Sequence, residues 1–154
     1  MMTARFLLDT NICIYIQRQR PGNVLERFQK LEPGDAAISV ITWGELLYGA
    51  EKSKQRKKAL ELLAEFKTFV PVLPIPETAG NTYGIIRASL ESQGQPIGNN
   101  DLWIAAHAKA AGLTIVTNNE REFRRIAGLK VQNWVARRVS VIEVTLPQTA
   151  PSSI

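Results

Sequence analysis

Three short apolar runs, each ending at a polar residue and each bordered by a helical pattern, set the fold of this chain. Phe6-Leu7-Leu8 stops at Asp9, Ala36-Ala37-Ile38-Ser39-Val40 gives way to Thr42-Trp43-Gly44-Glu45, and Thr114-Ile115-Val116-Thr117 ends at Asn118. Runs this short and this continuous suit strands covered on both faces, as in parallel sheets. Between them Thr10 to Arg18, Val24 to Leu31, the stretch from Thr42 to about Ser53, Leu60 to Phe69, Glu77 to Gln93 and Leu102 to Ala111 read as helices. Pro21-Gly22, Pro33-Gly34-Asp35, Gly94 and Gly112 interrupt them. Val70 to Pro76 carries three prolines, so it can supply only a short strand or an edge crossing. Strands alternating with helices give an α/β class, a sandwich with a mostly parallel central sheet.

A chain of 154 residues forms one domain of ordinary size. Residues 1–135 are assigned to that domain and residues 136–154 to a C-terminal extension, a short strand around Val139 to Val144 followed by a flexible tail rich in Pro, Ser and Thr. One cysteine, Cys13, closes no internal disulfide, and one histidine, His107, cannot build a zinc site of the usual Cys/His kind. The apolar run before Asp9 is too short for a signal-peptide core or a membrane span, so a cytoplasmic protein with no membrane partner is expected. Nineteen Lys and Arg against fourteen Asp and Glu leave a charge of +5, which favours an anionic partner such as nucleic acid.

Only three of the fourteen acids are Asp, at positions 9, 35 and 101. Asp9 follows the first strand, Glu45 falls in the first turn of the helix after the second, and Asp101 opens the helix before the third. Ligands of an open parallel sheet bind outside the carboxyl ends of its strands, where such positions meet. Each acid alone has an ordinary explanation: Asp is a preferred N-cap, and Thr42-x-x-Glu45 reads as a capping box. Three carboxylates converging from helix starts repel one another unless a cation lies between them, and no Lys or Arg adjoins them in sequence. Mg²⁺ or Mn²⁺, with its taste for hard oxygen ligands, is the expected shared cation. Such a site activates water against a phosphodiester. A phosphatase of the D-x-D-x-T kind is disfavoured because Asn11 stands where its second Asp belongs.

Four segments carry a more specific likeness: Leu7-Leu8-Asp9-Thr10-Asn11, Ser39 to Leu46, Ile97 to Ala108, and Val116-Thr117-Asn118-Asn119-Glu120-Arg121-Glu122-Phe123. In this order and spacing they resemble the PIN domain, in its VapC toxin branch, over about residues 4 to 135. The resemblance implies a PIN-like α/β/α sandwich and a Mg²⁺- or Mn²⁺-dependent endoribonuclease that arrests translation. It also implies a VapB-type antitoxin partner, a homodimer, and an RNA substrate of the tRNA kind. Asp9 and Asp101 correspond to direct metal ligands, and Glu45 to a third acid that orients water or holds a second ion. Asn11 and Thr117 correspond to residues that fix the carboxylates. Many PIN domains place Asp two residues after that Thr; here it is Asn119, counted with the catalytic set, so Glu120 or Glu122 is expected to take over part of the role.

Lys52, Lys54, Arg56, Lys57 and Lys58, together with Arg121, Arg124 and Arg125, are candidates for phosphate contact, with a solvated helix face as the alternative. His107 lies nearly two turns past Asp101 and is read as a packing residue. Trp43, Trp103 and Trp134 are assigned to core or subunit contacts rather than base stacking, and Cys13 to the core. The rival to the nuclease is a non-catalytic RNA-binding or interaction module on the same fold.

Overall fold

The computed structural model describes residues 3–135; the expected strand and tail beyond Val135 lie outside the described residues. Five strands form one parallel sheet: β1 (Phe6–Leu8), β2 (Ala36–Ser39), β3 (Val72–Leu73), β4 (Thr114–Val116) and β5 (Val131–Gln132), in the spatial order β3-β2-β1-β4-β5. Seven helices connect them: α1 (Thr10–Arg18), α2 (Gly22–Gln29), α3 (Val40–Glu51), α4 (Arg56–Phe69), α5 (Thr78–Ser92), α6 (Asn99–Ala111) and α7 (Glu120–Phe123). None is long and apolar enough to cross a membrane.

Strand residues alternate between two cores. Leu7, Ala37 and Ile115 face α5 and α6, where they meet Ile86, Leu90, Leu102 and Ala105. Leu8, Ile38 and Val116 face the opposite side, against Ile12, Cys13, Ile16, Leu46 and Leu63 of α1, α3 and α4. Both faces are dry, which is why the strands carry no polar alternation. The proline-rich segment yields only the two residues of β3, and they occupy an edge, where Pro71 and Pro74 forfeit no central ladder bond.

Four helices begin earlier than the sequence suggests, α2 at Gly22, α4 at Arg56, and α3 and α6, whose starts bear on the site. Ser39 ends β2 and caps α3, its Oγ accepting the Ile41 N–H at 3.2 Å, so Val40 is helical and Thr42 lies inside the first turn. The expected Thr42–Glu45 capping box therefore does not form: Thr42 is buried, and Glu45 sits in the second turn with its carboxylate free of capping duty. Likewise α6 starts at Asn99 rather than Leu102, which converts the expected Ile97–Asp101 turn into a helical first turn holding Asn99, Asn100 and Asp101. Gly112 closes α6 at φ +72°, a left-handed conformation that glycine adopts without strain.

Because Ser39 is the capping residue, Ser39→Ala should lower the urea-unfolding free energy by about 1 kcal/mol, the usual cost of a lost N-cap. Were Thr42 the cap instead, Ser39→Ala would leave the unfolding midpoint unmoved.

Candidate active site at the carboxyl edge of the sheet

The chain turns from β1 toward β2 on one side of the sheet and reaches β4 on the other, so the topological switch point lies between β1 and β4. Leu8 pairs with Val116, and the next residues, Asp9 and Thr117, leave adjacent strands side by side. Thr117 Oγ1 donates to Asp9 Oδ2 at 2.5 Å, and the Ile12 N–H donates to Asp9 Oδ1 at 3.0 Å, making Asp9 both the cap of α1 and a fixed carboxylate. It is only 5% exposed. Asn119 N–H donates back to Thr117 Oγ1 at 2.8 Å, so the threonine hydroxyl is itself held in place.

Glu45 reaches the same region from α3. Thr10 Oγ1 donates to its Oε1, and Asn100 Nδ2 donates to its Oε2 at 3.0 Å. Asp101, half-buried in the first turn of α6, lies close enough to feel both Glu45 and Glu122. Burial raises the Asp9 carboxyl from 3.8 to about 6, with repulsion from Asp101 and Glu45 adding to it and the Thr117 and Ile12 hydrogen bonds opposing it. Burial also raises Asp101, followed by repulsion from Glu45 and Glu122. No basic side chain forms an ion pair with Asp9, Glu45 or Asp101 among the described residues.

The fourth acid is resolved by orientation. Glu120 turns away, paired with Arg124 at 3.0 Å and accepting from Asn133 Nδ2 at 3.0 Å, contacts that lower its carboxyl. Glu122 instead adds to the repulsion at Asp101, and Asn119 Nδ2 donates to its Oε1 at 3.0 Å. Asn119 thus acts as a holder for Glu122. Asn11, expected to fix a carboxylate, is exposed and makes no such bond; its neighbour Thr10 does. Thr10 and Asn100 escaped the sequence reading because their partner lies 35 and 55 residues away and only the helix positions bring them to it.

The carboxylates are neighbours, yet among the described residues no three His, Cys, Asp or Glu side chains converge tightly enough to cage an ion. Asp9, Glu45 and Asp101 thus form no preformed cage in the metal-free protein. Mg²⁺ and Mn²⁺ do not need such a cage: one or two carboxylates with retained waters suffice. A buried, unpaired Asp9 beside a half-buried Asp101 fits that demand, because a divalent charge would offset the burial that chiefly raises both groups and the like charges that add to it.

The basic candidates divide into tied and free. Arg56 pairs with Glu51 at 2.6 Å, Arg124 with Glu120, Arg125 donates to the Pro96 carbonyl at 3.0 Å, and Lys52 lies 4.6 Å from the Tyr48 ring centroid. Lys54, Lys57, Lys58 and Arg121 are exposed and carry no ion pair among the described residues. His107 is buried and pushed toward its neutral form by that burial, as expected of a packing residue. Trp134 is buried against the edge of Phe6, Trp103 stacks on Tyr83 at 3.9 Å, and Cys13 is in the core with its thiol pushed up by burial.

A five-stranded parallel sheet with unpaired acids at its switch point places the chain among α/β proteins whose site lies at the carboxyl edge of the sheet. A family model described as PIN domain matches residues 6–129. The tRNA(fMet)-specific endonuclease VapC of Shigella flexneri is 45% identical over 130 residues, spanning 84% of this chain and 98% of that protein. Ribonuclease VapC2 of Haemophilus influenzae is 41% identical over 131 residues, spanning 85% and 98%. The solved DNA-bound VapBC of Salmonella typhimurium superposes with a TM-score of 0.80 at 41% identity, covering 86% of this chain and 99% of that one. The chain belongs to the PIN-domain family, in its VapC branch.

The raised Asp9 carboxyl has a consequence for stability. Between about pH 4 and pH 6 the folded chain retains a proton that the unfolded chain has released, so metal-free stability falls as pH rises through that window, by about 3 kcal/mol at most. Asp9→Asn keeps an oxygen for Ile12 and presents an amide to Thr117. It is expected to stabilise the metal-free protein at pH 7.5 by on the order of 1–3 kcal/mol, the gain vanishing below pH 4. Urea titrations at the two pH values check this; a variant less stable than wild type at pH 7.5 would mean that the carboxylate is not under strain.

Proposed function

We propose that this chain is the endoribonuclease toxin of a VapBC-type module, cutting RNA in the cytoplasm with a divalent ion held by Asp9 and Asp101. The observation that carries the reading is the unpaired pair itself: two carboxylates raised first by burial and then by the like charges around them, at the switch point of a basic protein. Enzymes with PIN domains work with divalent metals, and Mg²⁺ or Mn²⁺ suits an all-oxygen donor set. When bound, the ion would supply positive charge to the scissile phosphate and lower the cost of generating hydroxide.

The protein's own groups do the rest. Thr117 and the Ile12 N–H keep Asp9 in one orientation, and Glu122, steadied by Asn119, adds negative charge on the Asp101 side. Glu45 takes the proton of the attacking water as the new P–O bond forms in line with the departing strand, whose oxygen is protonated from solvent. Lys54, Lys57, Lys58 and Arg121 are the groups free to meet phosphates.

The curated relative from Shigella flexneri is named as specific for tRNA(fMet), and likeness to it supports a tRNA substrate here. Likeness to solved VapBC assemblies supports a VapB-type antitoxin as partner; the homodimer is proposed on the family resemblance alone.

Purified protein incubated with an end-labelled tRNA pool should yield discrete fragments with Mg²⁺ or Mn²⁺ and none with EDTA. Asp101→Ala should slow cleavage more than about 100-fold while keeping its far-ultraviolet circular dichroism, since loss of an ion-holding group should exceed the loss of a supporting residue. Metal-independent retention of uncut tRNA would favour the non-catalytic module instead. Replacing Lys54, Lys57 and Lys58 together by Ala should raise KM with kcat unchanged and reduce the slope of log KM against log salt by about 2, if each meets one phosphate of a single strand.

A further inference from the structure

We propose that Asn100 and Thr10 are positioning residues for Glu45, gripping its carboxylate from two helices so that it addresses the attacking water and does not ligate the metal. Glu45 is the acid whose helix gives it no local partner, since α3 is capped by Ser39 six residues earlier. Its two oxygens are claimed separately: Oε1 by the hydroxyl of Thr10, the first residue of α1, and Oε2 by the amide of Asn100, the second residue of α6, at 3.0 Å. Thr42, buried one turn before Glu45, places its own hydroxyl 3.4 Å from that of Thr10. Three helices are thereby tied at one carboxylate.

Resting on the nuclease reading above, this clasp has a specific chemical meaning. Thr10 directly follows Asp9 and Asn100 directly precedes Asp101, so the backbone segments that place the two ion-holding groups also fix the third carboxylate relative to them. A donor hydrogen on each oxygen still leaves Glu45 lone pairs to meet a water proton. Direct ligation would bring a divalent cation against the N–H of Asn100 and the O–H of Thr10, whose positive ends it repels. Asp101, by contrast, is perturbed by burial and like charge with no hydrogen bond in compensation. Glu45 and Asn100 also line, with Val40, Ile41, Gly44 and Tyr48, an open cleft of about 560 Å³ beside the acids. A strand of RNA entering there meets the clasped carboxylate from its exposed side.

The test compares wild type, Asn100→Leu, Thr10→Val, Thr10→Ser, Glu45→Gln and Asp101→Ala in Mn²⁺-dependent cleavage of the labelled tRNA pool and in calorimetric Mn²⁺ uptake, with urea midpoints confirming that each is folded. Asn100→Leu and Thr10→Val should lower kcat about 10–100-fold, the range for residues that orient a working group, with KM within about threefold of wild type. Thr10→Ser, which restores the hydroxyl, should recover most of the rate. Mn²⁺ uptake should persist in Asn100→Leu and Glu45→Gln and disappear in Asp101→Ala. The clasp is overturned by unimpaired Asn100→Leu and Thr10→Val, or by Thr10→Ser as slow as Thr10→Val. Loss of Mn²⁺ uptake in Glu45→Gln as complete as in Asp101→Ala also overturns it, by making Glu45 a ligand. Wild-type protein that neither takes up Mn²⁺ nor cuts tRNA defeats the nuclease reading itself, so the two failures are distinct.

Discussion

The hydrogen bond from Thr117 to Asp9 joins the two strands that flank the switch point, and most of what the site can do follows from it. It exists because Leu8 and Val116 are in register, and the register exists because Leu7 and Ile115 fall to one core while Leu8 and Val116 fall to the other. A slip of one residue would exchange the two cores and separate the pair. The dry sheet that secures the register is also what strips water from Asp9. Packing and reactivity therefore have a common cause: burial of the strand ends leaves a carboxylate that is poorly solvated, oriented by two donors and faced by like charges.

Overall charge conceals this local condition. The chain carries +5, yet Asp9 feels the charges of Asp101 and Glu45, Asp101 feels those of Glu45 and Glu122, and no ion pair neutralises any of the four among the described residues. Among the basic candidates, Arg124 holds Glu120, Arg56 holds Glu51, and Arg125 reaches the Pro96 carbonyl, so none of the three pairs with these acids. The protein thus keeps a negative pocket on a positive body. An RNA backbone would be drawn to the body and repelled by the pocket, and a divalent ion bound there would lessen that repulsion, which is a physical reason for substrate and metal to bind with positive coupling.

Much of this was legible in the sequence, for reasons that differ by residue. The strands were readable because runs buried on both faces are continuously apolar, and Asp9 and Thr117 because each directly follows such a run. Glu45 was found for its residue type but seated one turn too early: Ser39 and Thr42 are both good caps, and sequence offers no measure of which hydroxyl meets the free N–H groups. The sequence points to Asn11 as a carboxylate holder and not to its neighbour Thr10; a helix turns 100° per residue, so the two cannot serve one target. Helix phase decides between them, and phase depends on where α1 starts. Asn100 was invisible while its segment was read as a turn.

The exchange at the fourth acidic position shows how phase can replace identity. Asn119 cannot carry charge, but α7 begins directly after it, and three residues along a helix return to nearly the same azimuth. That brings Glu122 beside Asn119, whose amide holds it, while Glu120, on another face, is taken by Arg124 and Asn133. A glutamate reaching in from the helix is longer and less rigid than an aspartate at the strand end would be. It is suited to shaping the field around Asp101 and ill suited to fixing a second ion, since a tightly held octahedral cation demands short, preorganised ligands. Together with a Glu45 whose oxygens are both claimed by neighbouring donors, this supports the proposal that Asp9 and Asp101 are the ion-holding pair.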